Sequence, residues 1–302
     1  PAMVKTKRHS LYFLFGGLGL CTVMAHAKAP PPPKAERLSY PTTKTVEQID
    51  EYHGVKVKDP YRWLESLDSP ETKAWVEEQN KLTFGFLEKI PQREKLRARL
   101  TELWNFEKYS PPSLEGGRYF YSKNDGLQNQ SVLYTTTSLA APPTVLLDPN
   151  TLAKDGTVAL SGLNPSLDGK LLAYGLAAAG SDWQEWHVRD VATAKDQPDV
   201  LKWIKFSNAA WTKDSKGFYY GRFDEPKSKE LESVNFFQKL YYHRLGTPQS
   251  ADTLVYERKD KKEWQFAPTV TDDGRYLIIT VAKGTDDKYR ILYQDLTVPG
   301  SK

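Results

Sequence analysis

From residue 70 to residue 105, apolar side chains recur at helical spacing. Ser69-Pro70-Glu71 supplies an N-cap, a first-turn proline and an acid at the positive end of a helix dipole. Trp75, Leu82 and Phe86 then fall at i, i+7 and i+11, with Val76 beside them. After Pro91, the residues Leu96, Leu100, Leu103 and Trp104 fall at i, i+4, i+7 and i+8. The pattern predicts two amphipathic helices, over about 70–88 and 92–105, with their aromatic residues read as core packing.

From residue 108 the period changes. Short aromatic and β-branched runs alternate with turn signals, and one element recurs. It reads Ser113-Leu114-Glu115-Gly116-Gly117-Arg118-Tyr119-Phe120-Tyr121, then Ser166 to Tyr174, then Thr212 to Tyr220, then Thr271 to Ile279. Each copy is a polar turn feeding a buried strand. Asp and Gly suit such turns, because they tolerate or cap a left-handed backbone. Aligned on Arg118, Lys170, Lys216 and Arg275, the copies are spaced by 52, 46 and 59 residues. A further strand follows in the units, as in Ser131–Tyr134, Lys239–His243 and Tyr289–Tyr293. A period near 50 with several short strands per unit is the mark of propeller blades. A β-sandwich with similar hairpins is the other reading, and four copies at comparable spacing favour the propeller. The sequence reaches Lys302 just after the second recognisable strand of its fourth unit, and reads as cut off there.

Composition narrows the class. Hydrophobic residues make up 39% of the 302 and aromatics 12%, which suits a packed core and not disorder. A mean hydropathy of −0.61 excludes a polytopic membrane protein. A single Cys, Cys21, excludes a disulfide scaffold and a Cys-based zinc site. The net charge is +4, but Lys5, Lys7 and Arg8 supply three of those charges and no acid accompanies them before residue 28. The remainder is nearly neutral and has no basic stripe, so no nucleic-acid partner is expected.

Those three cations open a leader. They precede an uncharged apolar run from Leu11 to Met24 and the A-x-A site Ala25-His26-Ala27. This is the three-part pattern of a secretory signal peptide cleaved after Ala27, with Ala25 and Ala27 as the small residues of the cleavage site. The run is shorter than a bilayer span; an uncleaved N-terminal anchor is the alternative. Cleavage would leave no cysteine, which suits an oxidising compartment, and the expected location is periplasmic or secreted, with no membrane contact afterwards. Pro30-Pro31-Pro32-Pro33 then reads as a stiff linker over 28–39.

The sequence holds few motifs that carry chemistry. No G-x-S-x-G elbow and no phosphate-binding glycine loop occurs. His53, His187 and His243 are isolated, without metal-ligand spacing, so no metal is expected. Asp272-Asp273 and Asp286-Asp287 lie in polar loops and read as solvated turns rather than calcium ligands. Trp183 and Trp186 form either an aromatic binding wall or one core and one exposed residue; their i, i+3 spacing fits no single strand face. Read from the residues alone, this is a β-repeat chain without a complete active site, so the catalytic set is empty.

Longer stretches resemble the prolyl oligopeptidases. The resemblance rests on Asp59-Pro60-Tyr61-Arg62-Trp63-Leu64-Glu65 and on the following helix with Trp75-Val76-Glu77-Glu78-Gln79-Asn80. It continues through Leu147–Asn150, Asp155–Leu160, Gly180–Trp183, Val200–Trp211 and Gln238–His243. Within that family the chain is more similar to the prolyl endopeptidases. The resemblance implies a mainly β fold: about four blades of a seven-bladed propeller over 108–302, preceded by a helical segment over 40–107. That segment would pack on a C-terminal α/β-hydrolase domain absent from these 302 residues. The implied partners are an oligopeptide substrate and that hydrolase domain, with no cofactor. The implied function is the propeller-bearing part of a secreted serine peptidase that cleaves after proline, gating access and inactive alone. Phe206 matches a family Phe that lines the pocket for a residue upstream of the proline; a core-facing strand residue is the competing reading. A non-catalytic propeller that binds peptides or proteins is the alternative function.

Overall fold

The computed structural model describes residues 38–178, 180–226 and 235–301. The leader, with Ala25 and Ala27, and most of the proline-rich linker lie outside the described residues. The chain divides into two units, residues 1–91 and 92–302.

In the first unit, β1 (Ile49–Tyr52) and β2 (Val55–Lys58) form an antiparallel hairpin. His53 and Gly54 close it, both at positive φ, as a two-residue turn of this hand requires. Arg62 ties the hairpin down by pairing with Asp50 and, at 2.6 Å, with Asp59. Helix α1 (Pro70–Leu87) starts where the sequence places it, with Ser69 accepting from the Thr72 N–H at 3.1 Å. Trp75 donates to Thr43. The expectation of core packing along this helix needs correction: only Thr72 is buried, and Val76, Phe84 and Phe86 are exposed.

Helix α2 (Arg93–Trp104) opens the second unit. Its whole apolar stripe, Leu96, Leu100, Leu103 and Trp104, lies open, and none of its residues is buried. The periodicity is right, but no surface among the described residues covers it.

Four sheets follow. The first contains β3 (Lys108–Tyr109), β4 (Ser113–Glu115), β5 (Arg118–Asn124), β6 (Val132–Thr136) and β7 (Thr144–Leu147). The strand paired with the first edge of β5 is split at Pro111-Pro112 into β3 and β4, where two residues cannot donate to the ladder. The second sheet holds β8 (Val158–Pro165), β9 (Leu171–Ala178), β10 (Gln184–Asp190) and β11 (Lys195–Ile204) in chain order. The third holds β12 (Ala210–Trp211), β13 (Gly217–Arg222), β14 (Lys239–Arg244) and β15 (Thr253–Tyr256). The fourth holds β16 (Trp264–Val270), β17 (Tyr276–Lys283) and β18 (Arg290–Asp295). All pairings are antiparallel, and apart from β3 with β5 they join strands adjacent in sequence, as in propeller blades.

The recurring element is the hairpin between the first two strands of each blade. In the last three copies Ser166, Thr212 and Thr271 donate their hydroxyls to Asp168, Asp214 and Asp273 at 2.7, 2.8 and 2.6 Å. The same carboxylates accept from the N–H groups of Lys170, Lys216 and Arg275. The carbonyls of those three basic residues then accept from Val191, Leu245 and Leu296, just past the third strand. The basic residues on which the repeats align therefore hold one structural position. The first copy differs: Gly116 and Gly117, both at positive φ, make a two-residue turn.

Three apolar layers fuse the blades. Phe120, Leu133 and Leu146 meet Leu172 and Tyr174 between the first two blades. Trp186, Val188, Leu201 and Ile204 meet Trp211, Phe218 and Tyr220 between the second and third. Leu240 meets Phe266, Leu277, Ile279 and Val281 between the third and fourth. Strand alternation makes these layers: on β17, Leu277, Ile279 and Val281 are buried while the residues between them are less covered.

Candidate functional site: an aromatic and basic rim

The topology separates two rims. In a blade of four antiparallel strands, the turns after the first and third strands leave at one end. The loop after the second strand and the crossover to the next blade leave at the other. The Asp-capped turns occupy the first rim. The second gathers the 205–209 and 257–263 crossovers and the described residues of the loops that follow β9, β13 and β17.

Phe206 stands on this second rim. It sits in the crossover after β11, not in a strand, with half its surface exposed and a left-handed backbone at φ 52°. A bulky residue held at positive φ costs about 1–3 kcal/mol, so its surroundings must over-determine it. They do. The Gly221 N–H donates to Ser207 Oγ at 2.7 Å, and the Lys205 carbonyl accepts from Gln238 Nε2 at 3.1 Å. Gln238 is buried, and its other end accepts from the Phe266 N–H at 2.6 Å, so one side chain links the 205 crossover to the fourth blade. Asn208 also donates to the Pro268 carbonyl.

Behind Phe206 lies a buried cation. Lys205 is 7% exposed, and its ammonium stands 3.9 Å from the centre of the Trp183 ring. It donates to Asn235 Oδ1 at 3.2 Å. Burial pushes the Lys205 pKa below its usual value, against the pull of Asp182. Trp183 meets Trp203 and Phe223 edge to face, at 5.8 and 6.0 Å. Trp203 also sits at positive φ, and its carbonyl is held by the Phe223 N–H. Of the two tryptophans singled out in the sequence, Trp186 is fully buried and Trp183 belongs to this half-open rim. Next to it, Asn235, Phe236, Gln265 and Lys283 line a cleft of about 460 Å³. Sequence reasoning missed Lys205, Asn235 and Gln238, because their partners lie about 30 residues away and no local pattern marks them.

The other candidates fall elsewhere. His53 is in the turn of the first hairpin. His187 pairs with Glu185 at 3.2 Å. His243 is fully buried, between Asp252 at 2.7 Å and Asp199 at 3.0 Å. Asp273 caps its turn, and Asp286 accepts from the Lys288 N–H. Among the described residues no cluster of His, Cys, Asp and Glu is arranged to hold a metal ion. No helix among them is long and apolar enough to cross a membrane.

The family model for the prolyl oligopeptidase N-terminal β-propeller domain matches residues 40–301. The chain belongs to the prolyl oligopeptidase family. It is 40% identical over 250 residues to a prolyl endopeptidase of Elizabethkingia meningoseptica, covering 82% of this chain and 35% of that protein. It is 35% identical over 290 residues to prolyl oligopeptidase A of Amanita bisporigera, covering 85% and 38%. A solved structure from a study of two prolyl endopeptidases, concerned with inter-domain dynamics in catalysis and specificity, superposes with a TM-score of 0.81 at 34% identity, over 87% of this chain and 39% of that one. Prolyl oligopeptidase B of Galerina marginata, bound to a 25-residue macrocyclization substrate, superposes with a TM-score of 0.75 at 32% identity, over 85% and 39%. The chain thus spans less than half the length of these relatives, and the family match lies on their N-terminal β-propeller domain.

Proposed function

We propose that this chain is the propeller-bearing part of a secreted serine peptidase that cleaves oligopeptides after proline. The observation that carries the reading is the 40% identity to a prolyl endopeptidase within a family match to residues 40–301. Serine attack, proton transfer by histidine and an oxyanion hole would come from a hydrolase domain of the same polypeptide. The apolar stripe of α2 supports that arrangement, since it is a surface in want of a cover.

The propeller's part is to bind and to admit. Phe206 offers an apolar ring to a substrate residue upstream of the proline, on the rim that also carries the Trp183, Trp203 and Phe223 cluster. The rim that carries it would face the hydrolase, and the blades around it would exclude folded proteins while admitting peptides. The leader supports export, with cleavage after Ala27 and a periplasmic or secreted product.

The test uses the full-length polypeptide and a proline peptide with a bulky residue two positions upstream. Phe206→Ala is expected to raise KM about tenfold with kcat within a factor of two, since it removes ground-state binding. An unchanged KM overturns the role of Phe206. N-terminal sequencing of the exported protein checks the leader, with Lys28 expected as the first residue.

A further inference from the structure

Beside the Phe206 rim, between the third and fourth blades, lies a recess of about 610 Å³. Its lining includes Phe237, Lys259, Lys261, Lys262, Trp264, Lys283 and Arg290. Three of these converge for a topological reason. Trp264 pairs with Lys283 across β16 and β17, and Val281 pairs with Arg290 across β17 and β18. Directly paired residues share a face, as do residues two apart, so Trp264, Lys283 and Arg290 project on the same side of the fourth blade. The Phe237 N–H donates to the Lys262 carbonyl at 2.7 Å, which ties the recess to the loop that holds Asn235 against Lys205.

The recess also contains Asp260, Glu263 and Asp286, three carboxylates against the five cations of its lining, and the first two are paired with cations. Asp260 takes both nitrogen contacts of the Arg258 guanidinium, at 2.7 and 2.8 Å, and that bond holds its pKa down at about 2. Glu263 pairs with Lys283 at 3.5 Å, and Asp286 accepts a backbone N–H. Two cations remain with no carboxylate among the described residues. The Lys262 ammonium rests over Phe236 at 4.6 Å, and the Arg290 guanidinium over Trp264 at 4.9 Å. An aromatic face orients a cation without consuming its hydrogen-bond donors, which stay available to a carboxylate.

We propose that Lys262 and Arg290 form a subsite for an acidic side chain of the bound oligopeptide, making the rim selective for peptides that carry Glu or Asp upstream of the residue at Phe206. The assignment rests on the peptide-binding reading above and adds a substrate class to it. A carboxylate entering the recess meets two donors already placed on rigid rings, so little side-chain freedom is lost on binding.

Three fluorescent octapeptides test it, identical except for Glu-Glu, Gln-Gln or Lys-Lys upstream of a C-terminal Phe-Gly-Pro, which leaves no bond after the proline to cleave. Anisotropy titration measures each Kd on the full-length protein and on the K262Q/R290Q variant, at low and at physiological salt. The Glu-Glu peptide is expected to bind about tenfold tighter than Gln-Gln at low salt, and Lys-Lys more weakly than both. The variant is expected to abolish that order while binding Gln-Gln as before, which also shows that it is folded. Equal Kd for the three peptides overturns the subsite and leaves the peptide reading intact, as does a Glu-Glu preference that survives in the variant. Failure of all three to bind overturns the peptide reading and the subsite with it.

Discussion

At the scale of the residue, His243 is the most consequential side chain that the sequence hides. It is one of five histidines, alone in its segment, yet both ring nitrogens meet carboxylates whose side chains are buried. Asp199 belongs to β11 and accepts also from the Gly246 N–H; Asp252 accepts also from Tyr220, whose hydroxyl is pushed above its usual pKa by burial and by that carboxylate. Burial works against the imidazolium, but the bonds to Asp252 and then Asp199 outweigh it and raise the His243 pKa. A raised folded-state pKa means that this group's contribution is fully present below the unfolded value near 6.5 and is lost as pH rises through the folded value. Denaturant melts are therefore expected to show stability falling with increasing pH above neutrality. His243→Gln should flatten that dependence and cost about 3–5 kcal/mol at pH 6, because it leaves the two buried carboxylates without their counter-charge. A variant with the wild-type pH slope would refute the assignment.

At the scale of the element, the blades were legible because their turns are local. A Ser or Thr, an Asp two residues on and a basic residue two further fix the hairpin by contacts inside one pentapeptide, and that is the unit that repeats. The two helices were legible for the same reason, since capping and periodicity are written within one segment. What buries a helix is not local, which is why α2 has the predicted stripe and no cover. The rim was legible only at Phe206, through a resemblance, and at the Trp183–Trp186 pair, whose spacing marked them as belonging to different environments. Lys205, Gln238 and Arg290 act through partners about 20–30 residues away in the chain, and nothing adjacent to them signals it. The contact between successive turns gives a sharp comparison. Gly169 is at φ 67°, and a Cβ there would lie 2.5 Å from the Glu115 carbonyl oxygen; Gly246 is at φ 75° with open space around it. Gly246→Ala should cost about 1 kcal/mol, the left-handed backbone alone. Gly169→Ala should cost about 2–3 kcal/mol, because the first two blades must also part there. Equal melting shifts for the two would argue against the packed turns. Gln238→Ala belongs to the same scale, with an expected loss of about 2–4 kcal/mol from two unsatisfied buried groups and a small cavity.

At the scale of the whole molecule, the 302 residues expose surfaces that aqueous proteins ordinarily cover. Ile291 and Tyr293 lie open on the fourth blade, and Leu96, Leu100, Leu103 and Trp104 on α2. Apolar patches and sheet edges of this kind invite self-association. The isolated chain is expected to sediment as concentration-dependent oligomers, and Leu100→Glu with Ile291→Lys to shift it toward monomer. A compact wild-type monomer across concentrations would show that these surfaces are tolerated. The same surfaces bear on the proposal that the propeller belongs to a longer peptidase polypeptide. Mass spectrometry of oligopeptide products from the full-length gene product tests that claim most directly, with intact mass taken on the same sample. A mass well above 34.4 kDa and new C-termini at proline are expected, with folded proteins left uncut. A full-length product of about 34 kDa that leaves proline peptides whole, or cleavage at residues other than proline, would contradict the proposal.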